Sequence, residues 1–195
     1  MIVRKMLGLC VLLSIFAACE DKSKSTQTTT GAVAPSAAPS ATSPTSATGV
    51  KEGDPAPDVE MTMQDARKVK LSALKGQFVA IYFYPKDQTT GCTIEADNFR
   101  DRFDDLKKAG ITVIGVSAQD AASHKAFIEK EKLPFDLAID ADKSMAKAFG
   151  VPLIADGTLH ARWTFLVGKD GKIKKVWRDV TPKDHADEVL SASKA

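Results

Sequence analysis

From residue 53 to the C-terminus, apolar side chains recur with two alternating periods. Val59, Met61 and Met63 alternate with polar residues and predict a first strand; Val69 and Leu71 predict a second, with Gln64-Asp65-Ala66 as the turn between them. Ser72 to Gly76 reads as a short helical turn closed by glycine. Phe78 to Tyr84 is nearly all apolar and predicts a buried central strand. Pro85 cannot donate to a sheet ladder, so the strand stops there. After a polar turn the period changes. Ala96, Phe99, Phe103 and Leu106 recur at helical spacing, and Asp97, Asn98, Arg100, Asp101, Asp104 and Asp105 fall between them as a wet face. One helix is expected over this stretch, ended by Gly110.

The second half repeats the alternation. Ile111 to Ser117 is a continuous β-branched run, the pattern of a parallel strand buried on both faces. Ala121 to Lys132 predicts a helix, broken at Leu133-Pro134-Phe135. Leu137 to Ile139 predicts a short strand, and Ala141 to Phe149 a helix closed by Gly150. His160 to Val167 reads as one strand, Lys169-Asp170-Gly171 as a hairpin turn and Lys172 to Trp177 as its partner. Thr181-Pro182 starts a final helix with proline in its first turn. Strands alternating with helices, then a hairpin, then a helix, predict an α/β fold with a mixed sheet covered on both faces.

The N-terminal part has neither period. Arg4 and Lys5 precede an apolar run, Met6 to Ala18, which is shorter than the roughly 20 residues that a bilayer span needs. Residues 1–18 read as a signal peptide. Phe16-Ala17-Ala18-Cys19 resembles a bacterial lipobox, with Phe16 where leucine is usual; Cys19 would then carry the lipid and become the new N-terminus. The expected location is the bacterial cell envelope, lipid-anchored at the periplasmic face of the outer or inner membrane, and Glu20 points weakly to the outer one. Residues 19–50 carry the lipidated cysteine and a Ser/Thr/Ala/Pro-rich stretch with hardly any large apolar side chain. Such a stretch cannot offset its ordering entropy and reads as a disordered tether, with a reach on the order of 30 Å. Residues 51–195 suit one domain with one core.

Charge removes one class of partner. Arg4 and Lys5 leave with the signal peptide, so 25 of the 27 basic side chains remain against 25 acidic ones. Nothing in that balance favours nucleic acid, and there is no run of basic residues interleaved with aromatics, no Gly-rich phosphate loop and no internal repeat. Lys107-Lys108 and Lys174-Lys175 are solvated pairs.

Cysteine usage is more telling. Cys10 leaves with the signal peptide and Cys19 would be a thioether, so Cys92 is the one free thiol expected in the mature protein. No internal disulfide can form, although the compartment would permit one. Cys92 lies just past a central strand, where a helix begins. The first turn of a helix carries unpaired N–H groups and a partial positive charge, which favour a thiolate over a thiol. The alternative, a small buried apolar side chain, is the usual fate of a free cysteine.

The run Tyr82-Phe83-Tyr84-Pro85-Lys86-Asp87-Gln88-Thr89-Thr90-Gly91-Cys92-Thr93-Ile94-Glu95 contains Pro-x-x-x-Thr-x-x-Cys, which resembles the active-site signature of the peroxiredoxins. The longer run is similar to the peroxiredoxin Q, or bacterioferritin comigratory protein, subgroup, and the likeness extends from about Gly53 to the C-terminus. It implies a thioredoxin-like fold and a thiol-dependent peroxidase acting on hydrogen peroxide or an organic hydroperoxide. It also implies roles. Cys92 would be the nucleophile. Thr89 and Arg162, the latter in Arg162-Trp163-Thr164-Phe165-Leu166-Val167, would hydrogen-bond thiolate and peroxide. Glu95 would orient the arginine, Pro85 would shield the sulfur, and the Cys92 main-chain N–H would add a donor. Arginine suits the task because it stays charged and offers donors in a rigid fork.

The chain departs from the subgroup at one position. The family often has a resolving cysteine five residues on, but position 97 is aspartate. The expectation is therefore a one-cysteine mechanism, in which a thioredoxin-, glutaredoxin- or glutathione-like thiol reduces a Cys92 sulfenic acid. No cofactor and no metal is expected, and the chain is taken as a monomer or weak dimer. His124 and His160 have no ligand partner at useful spacing and are read as non-catalytic. Two other readings stand beside this one. An envelope thiol–disulfide oxidoreductase would normally need a second cysteine near Cys92. A non-catalytic envelope binding protein could retain the same fold.

Overall fold

The computed structural model describes residues 49–195. The signal peptide, the lipobox cysteine Cys19 and nearly all of the expected tether lie outside the described residues. Gly49 and Val50 already contact the domain: the Val50 N–H donates to Phe149 O at 3.3 Å. Gly150, with φ of +70°, lies against Gly49 so closely that a Cβ there would come within 2.2 Å of the Gly49 Cα.

In the described residues the strands are β1 (Glu60–Met63), β2 (Lys68–Lys70), β3 (Phe78–Phe83), β4 (Ile111–Ser117), β5 (Asp136–Ile139), β6 (Leu153–Ile154), β7 (Leu159–His160), β8 (Trp163–Val167) and β9 (Ile173–Trp177). The helices are α1 (Thr90–Asp101), α2 (Phe103–Lys108), α3 (Ala121–Glu131), α4 (Ser144–Phe149) and α5 (His185–Lys194), with a 3-10 turn at Leu71–Leu74. Seven strands form one sheet in the order β2-β1-β5-β4-β3-β8-β9, and β6 and β7 form a separate hairpin. β3, β4 and β5 are parallel; β1, β8 and β9 are antiparallel to their neighbours.

β3 is apolar on both faces because both are covered. Val79, Ile81 and Phe83 join Met61, Met63, Phe165 and the α4 residues Met145 and Phe149 in one core. Ala80, Tyr82 and Tyr84 join Leu166, Cys92, Ala96 and Phe99 of α1, Leu106, Phe127 and Val189 in the other. Burying each large side chain contributes about 1.5–3 kcal/mol, so the strand before Cys92 is anchored from two sides. Gly115 in β4 makes room for this packing: a Cβ there would lie 2.7 Å from Tyr82 Oη and 2.6 Å from Leu137 Cδ2.

Four element boundaries differ from the periodicity. The expected helix to Gly110 is interrupted at Arg102, whose backbone (φ −99°, ψ 4°) leaves the helical region and re-aims α2. α4 starts at Ser144 instead of Ala141, because the Asp140 carboxylate accepts the Met145 and Ala146 N–H groups at 2.9 Å each and so sets the first turn. α5 starts at His185, leaving Pro182 in the turn before it. The expected strand 160–167 is split. Leu159 and His160 pair with Ile154 and Leu153, a strand that periodicity missed, while Trp163 to Val167 pair with β3. Ala161 and Arg162 bridge the two, so Arg162 belongs to neither strand.

Candidate active site

Cys92 occupies the third position of α1 and is 1% exposed. It is the one free cysteine among the described residues. Its sulfur lies beneath the helix N-terminus, between β3 and the irregular link at Arg162. Arg162 Nη2 donates to Cys92 Sγ at 3.2 Å, bridging 70 residues of sequence. Arg162 Nη1 pairs with Glu95 Oε2, one turn along α1 from the cysteine. Gly91 lets the fork approach: a Cβ there would sit 3.3 Å from Nη2. The break between β7 and β8 is therefore functional in form. It frees Arg162 from the ladder and turns the guanidinium under α1, where it donates to the sulfur.

The charges around this pair are finely set. Burial works against the Arg162 charge, but Glu95 and Cys92 more than offset it and raise its pKa. Glu95 is fully buried, and its Oε1 has no hydrogen-bond partner among the described residues. Burial wins there over the attraction of Arg162 and pushes the carboxyl up to about 7. Tyr82, stacked on Phe99 at 4.9 Å, is held neutral chiefly by burial, with Glu95 adding to it.

Thr89 and Pro85 lie in the turn between β3 and α1. Thr89 is the residue preceding α1, and its main-chain carbonyl accepts the Thr93 N–H at 2.8 Å. The expected hydrogen bond from Thr89 to the sulfur is not formed; the hydroxyl donates instead to Lys86 O at 3.0 Å, because the turn folds that carbonyl back towards it. Its oxygen lone pairs remain open to a donor. Pro85 is half-buried after the end of β3.

Two residues near the site escaped sequence reasoning. Asp87, in the turn between Pro85 and Thr89, is 5% exposed and accepts Tyr84 Oη at 2.6 Å, Ser123 Oγ at 2.6 Å and His124 Nδ1 at 2.9 Å. Burial alone would raise its pKa, but the bonds from His124, Ser123 and Tyr84 outweigh that and hold the carboxylate below its ordinary value. The only sequence signal was an acidic residue between a buried strand and a helix. His185 is fully buried between Phe99 and Trp177, with ring centroids at 5.5 and 5.3 Å. Burial, with a smaller contribution from Arg162, pushes its imidazole down to about 4. His160, read as sharing a strand face with Arg162, points to the other core: it lies edge-on to Phe83, and its Nε2 is 3.1 Å from Asp140 Oδ2. At position 97, Asp97 pairs with Arg100, which also donates to Glu131 O at 2.8 Å and ties α1 to the end of α3. No group of three or more His, Cys, Asp or Glu side chains able to hold a metal occurs among the described residues.

A mixed sheet covered on both faces, with a buried cysteine opening a helix and an arginine brought against its sulfur, defines a thioredoxin-like domain with a cysteine at its candidate site. The chain belongs to the AhpC/TSA family, whose model matches residues 52–176. It is 44% identical over 142 residues to the chloroplastic peroxiredoxin Q of Oryza sativa subsp. japonica, covering 72% of this chain and 65% of the rice protein. The chain thus spans just under two thirds of that relative's length. Among solved structures, peroxiredoxin Q of Xanthomonas campestris superposes with a TM-score of 0.66 at 35% identity, covering 71% of this chain and 91% of that one. The peroxidoxin BcpB of Mycobacterium tuberculosis gives 0.69 at 30% identity, covering 74% and 96%.

Proposed function

We propose that this protein is a thiol-dependent peroxidase that reduces hydrogen peroxide or an organic hydroperoxide through Cys92. The observation that carries the reading is the 3.2 Å approach of Arg162 Nη2 to Cys92 Sγ at a helix N-terminus. Family membership and peroxiredoxin Q relatives support the same chemistry. The sulfur attacks the terminal oxygen of R–O–O–H. An S–O bond forms from a sulfur lone pair, the O–O bond breaks, and its electron pair leaves on RO⁻. The sulfur is oxidised to the sulfenic acid, and RO⁻ takes a proton to leave as water or alcohol. Arg162 and the Cys92 N–H stabilise the developing negative charge, a role in which one lost donor typically costs about 100- to 1,000-fold. Thr89 accepts the peroxide O–H through its free lone pairs, and Pro85 and Glu95 shield the sulfur and orient the guanidinium.

Recycling follows a one-cysteine route in this reading. An external thiol condenses with the sulfenic acid to a mixed disulfide and water, and a second thiol releases Cys92. Aspartate at position 97, already committed to Arg100, supports it. The leader pattern and Cys19 support a lipid-anchored protein in the bacterial envelope. Peroxide oxidation of the intact protein tests the core of the reading. Cys92 gains one oxygen atom on mass spectrometry within seconds of one equivalent of peroxide, and Arg162→Gln slows this by about 100-fold or more. A Cys92→Ser protein that consumed peroxide at the wild-type rate would end it. Radiolabelled palmitate incorporation that survives Cys19→Ala would end the anchoring proposal.

A further inference from the structure

Asp87 is the most heavily bonded buried side chain beside the site, yet it touches neither the sulfur nor Arg162. Its three side-chain donors come from two separate elements. Tyr84 follows β3. Ser123 and His124 lie in the first turn of α3, whose Ser123 N–H is itself capped by Asp120 at 2.9 Å. His124 is pinned at its far side, with Nε2 3.3 Å from the Ala138 carbonyl of β5. The carboxylate is thus fixed to the sheet and to α3 at once. It sits in the turn between β3 and α1: Lys86 O holds the Thr89 hydroxyl, Gln88 adopts a left-handed φ of 58°, and Thr89 is the last residue before α1. A non-glycine residue in that region is strained and persists only where its surroundings over-determine it. Three donors from two elements fix where the carboxylate sits, so its value here is geometric.

We propose that Asp87, held by Tyr84, Ser123 and His124, is a positioning residue for the peroxidase reaction: it locks the Lys86–Thr89 turn so that the Thr89 oxygen presents its lone pairs to the peroxide beside Cys92. The proposal rests on the peroxidase reading above and adds a residue to it. Asp87 acts through Thr89 and leaves the sulfur's own environment, built by Arg162 and α1, untouched.

Two reactions of Cys92 separate these roles. Oxidation by hydrogen peroxide needs Thr89; alkylation by iodoacetamide needs only the thiolate. Asp87→Asn in the full chain keeps alkylation within twofold of wild type and lowers the peroxide oxidation rate by about 10- to 100-fold, the scale at which misplacing a group by an ångström acts. Thr89→Val lowers peroxide oxidation similarly, and the Asp87→Asn/Thr89→Val double variant falls no further than Thr89→Val alone. If Asp87→Asn does not fold, Ser123→Ala, which removes one small donor, carries the test with a severalfold drop in the ratio of the two rates. A ratio unchanged in the folded Asp87 or Ser123 variant, or a parallel fall in both reactions, overturns the proposal. Should Thr89→Val and Arg162→Gln slow peroxide oxidation while Asp87→Asn does not, the peroxidase reading stands and only the role of Asp87 fails. Should Arg162→Gln leave the rate unchanged, the reading itself fails.

Discussion

Two buried carboxylates flank Cys92, and they are set in opposite ways. Glu95, on α1, receives one guanidinium and leaves Oε1 unpartnered among the described residues. Asp87, in the preceding turn, receives three side-chain donors. Both lose water on burial. The difference lies in how many donors replace it: too few leave the carboxyl raised to about 7, and three hold it below its ordinary value. Burial alone therefore does not decide whether an acid is poised or fixed. Glu95 sits near the edge of ionisation beside the sulfur, while Asp87 keeps its charge to lower pH than an ordinary carboxylate.

The sharpest way to break this contrast is to replace each acid by its amide. Asp87→Asn strands donors around a buried site and should lower unfolding stability by about 1–3 kcal/mol for each donor left unpaired. Glu95→Gln at pH 8 removes a charge that burial already opposes, so its cost should stay within about 1 kcal/mol. Urea unfolding of both variants at pH 8 measures this, and equal costs would abolish the distinction.

Proton linkage separates them next. The folded value for Glu95 lies above its unfolded one, so the folded protein binds the extra proton and stability falls as pH rises from about 4.5 to 7. The full change is about 3 kcal/mol at most. For Asp87 the sign is reversed: its contribution is present above the ordinary carboxylate value and is lost as pH falls through the lowered one. A stability–pH curve of Glu95→Gln should lack the decline between pH 4.5 and 7 that Glu95 contributes.

His185 masks that decline in the wild type. Its folded value is depressed to about 4 from 6.5, so stability is complete above 6.5 and is lost as pH falls towards 4, again by about 3 kcal/mol at most. The Glu95 and His185 effects have opposite slopes over overlapping windows and should nearly cancel. His185→Phe, which keeps the packing against Phe99 and Trp177, should expose a stability that rises on acidification from pH 7 to 5; a curve parallel to wild type would refute the linkage.

The smallest effect tests how tightly the reactive side is fitted. Gly91→Ala places a methyl 3.3 Å from Arg162 Nη2, so the fork must shift by a few tenths of an ångström. Peroxide oxidation of Cys92 should slow severalfold. The helix gains about 0.5–1 kcal/mol from alanine. A rate loss without a stability loss would show that the guanidinium position, not the integrity of α1, is limiting.

Much of the fold could be read directly. The buried run Phe78–Tyr84, the β-branched run Ile111–Ser117 and the α3 pattern each lie within a few residues of their observed bounds, because two-sided burial and one-sided burial leave different periods. The stretch 160–167 could not be divided from its pattern. His160 and Trp163 to Val167 are all compatible with a strand, and only the competing partner Leu153–Ile154 draws the first part away. Cys92, Arg162 and Glu95 were named from a resemblance in their local motifs, and the fold brings those three together. Asp87 and His185 carried no such signal, since acids in turns and histidines near helix starts are usually solvated.

Local spacing by itself determined which segments become strands and helices, and that a cysteine opens a helix after a central strand, since those properties depend on neighbours a few residues apart. The charge state of each buried group was decided only in three dimensions. Cys92 meets Arg162 across 70 positions and Asp87 meets His124 across 37, and a carboxylate's fate in a dry interior depends on how many donors reach it.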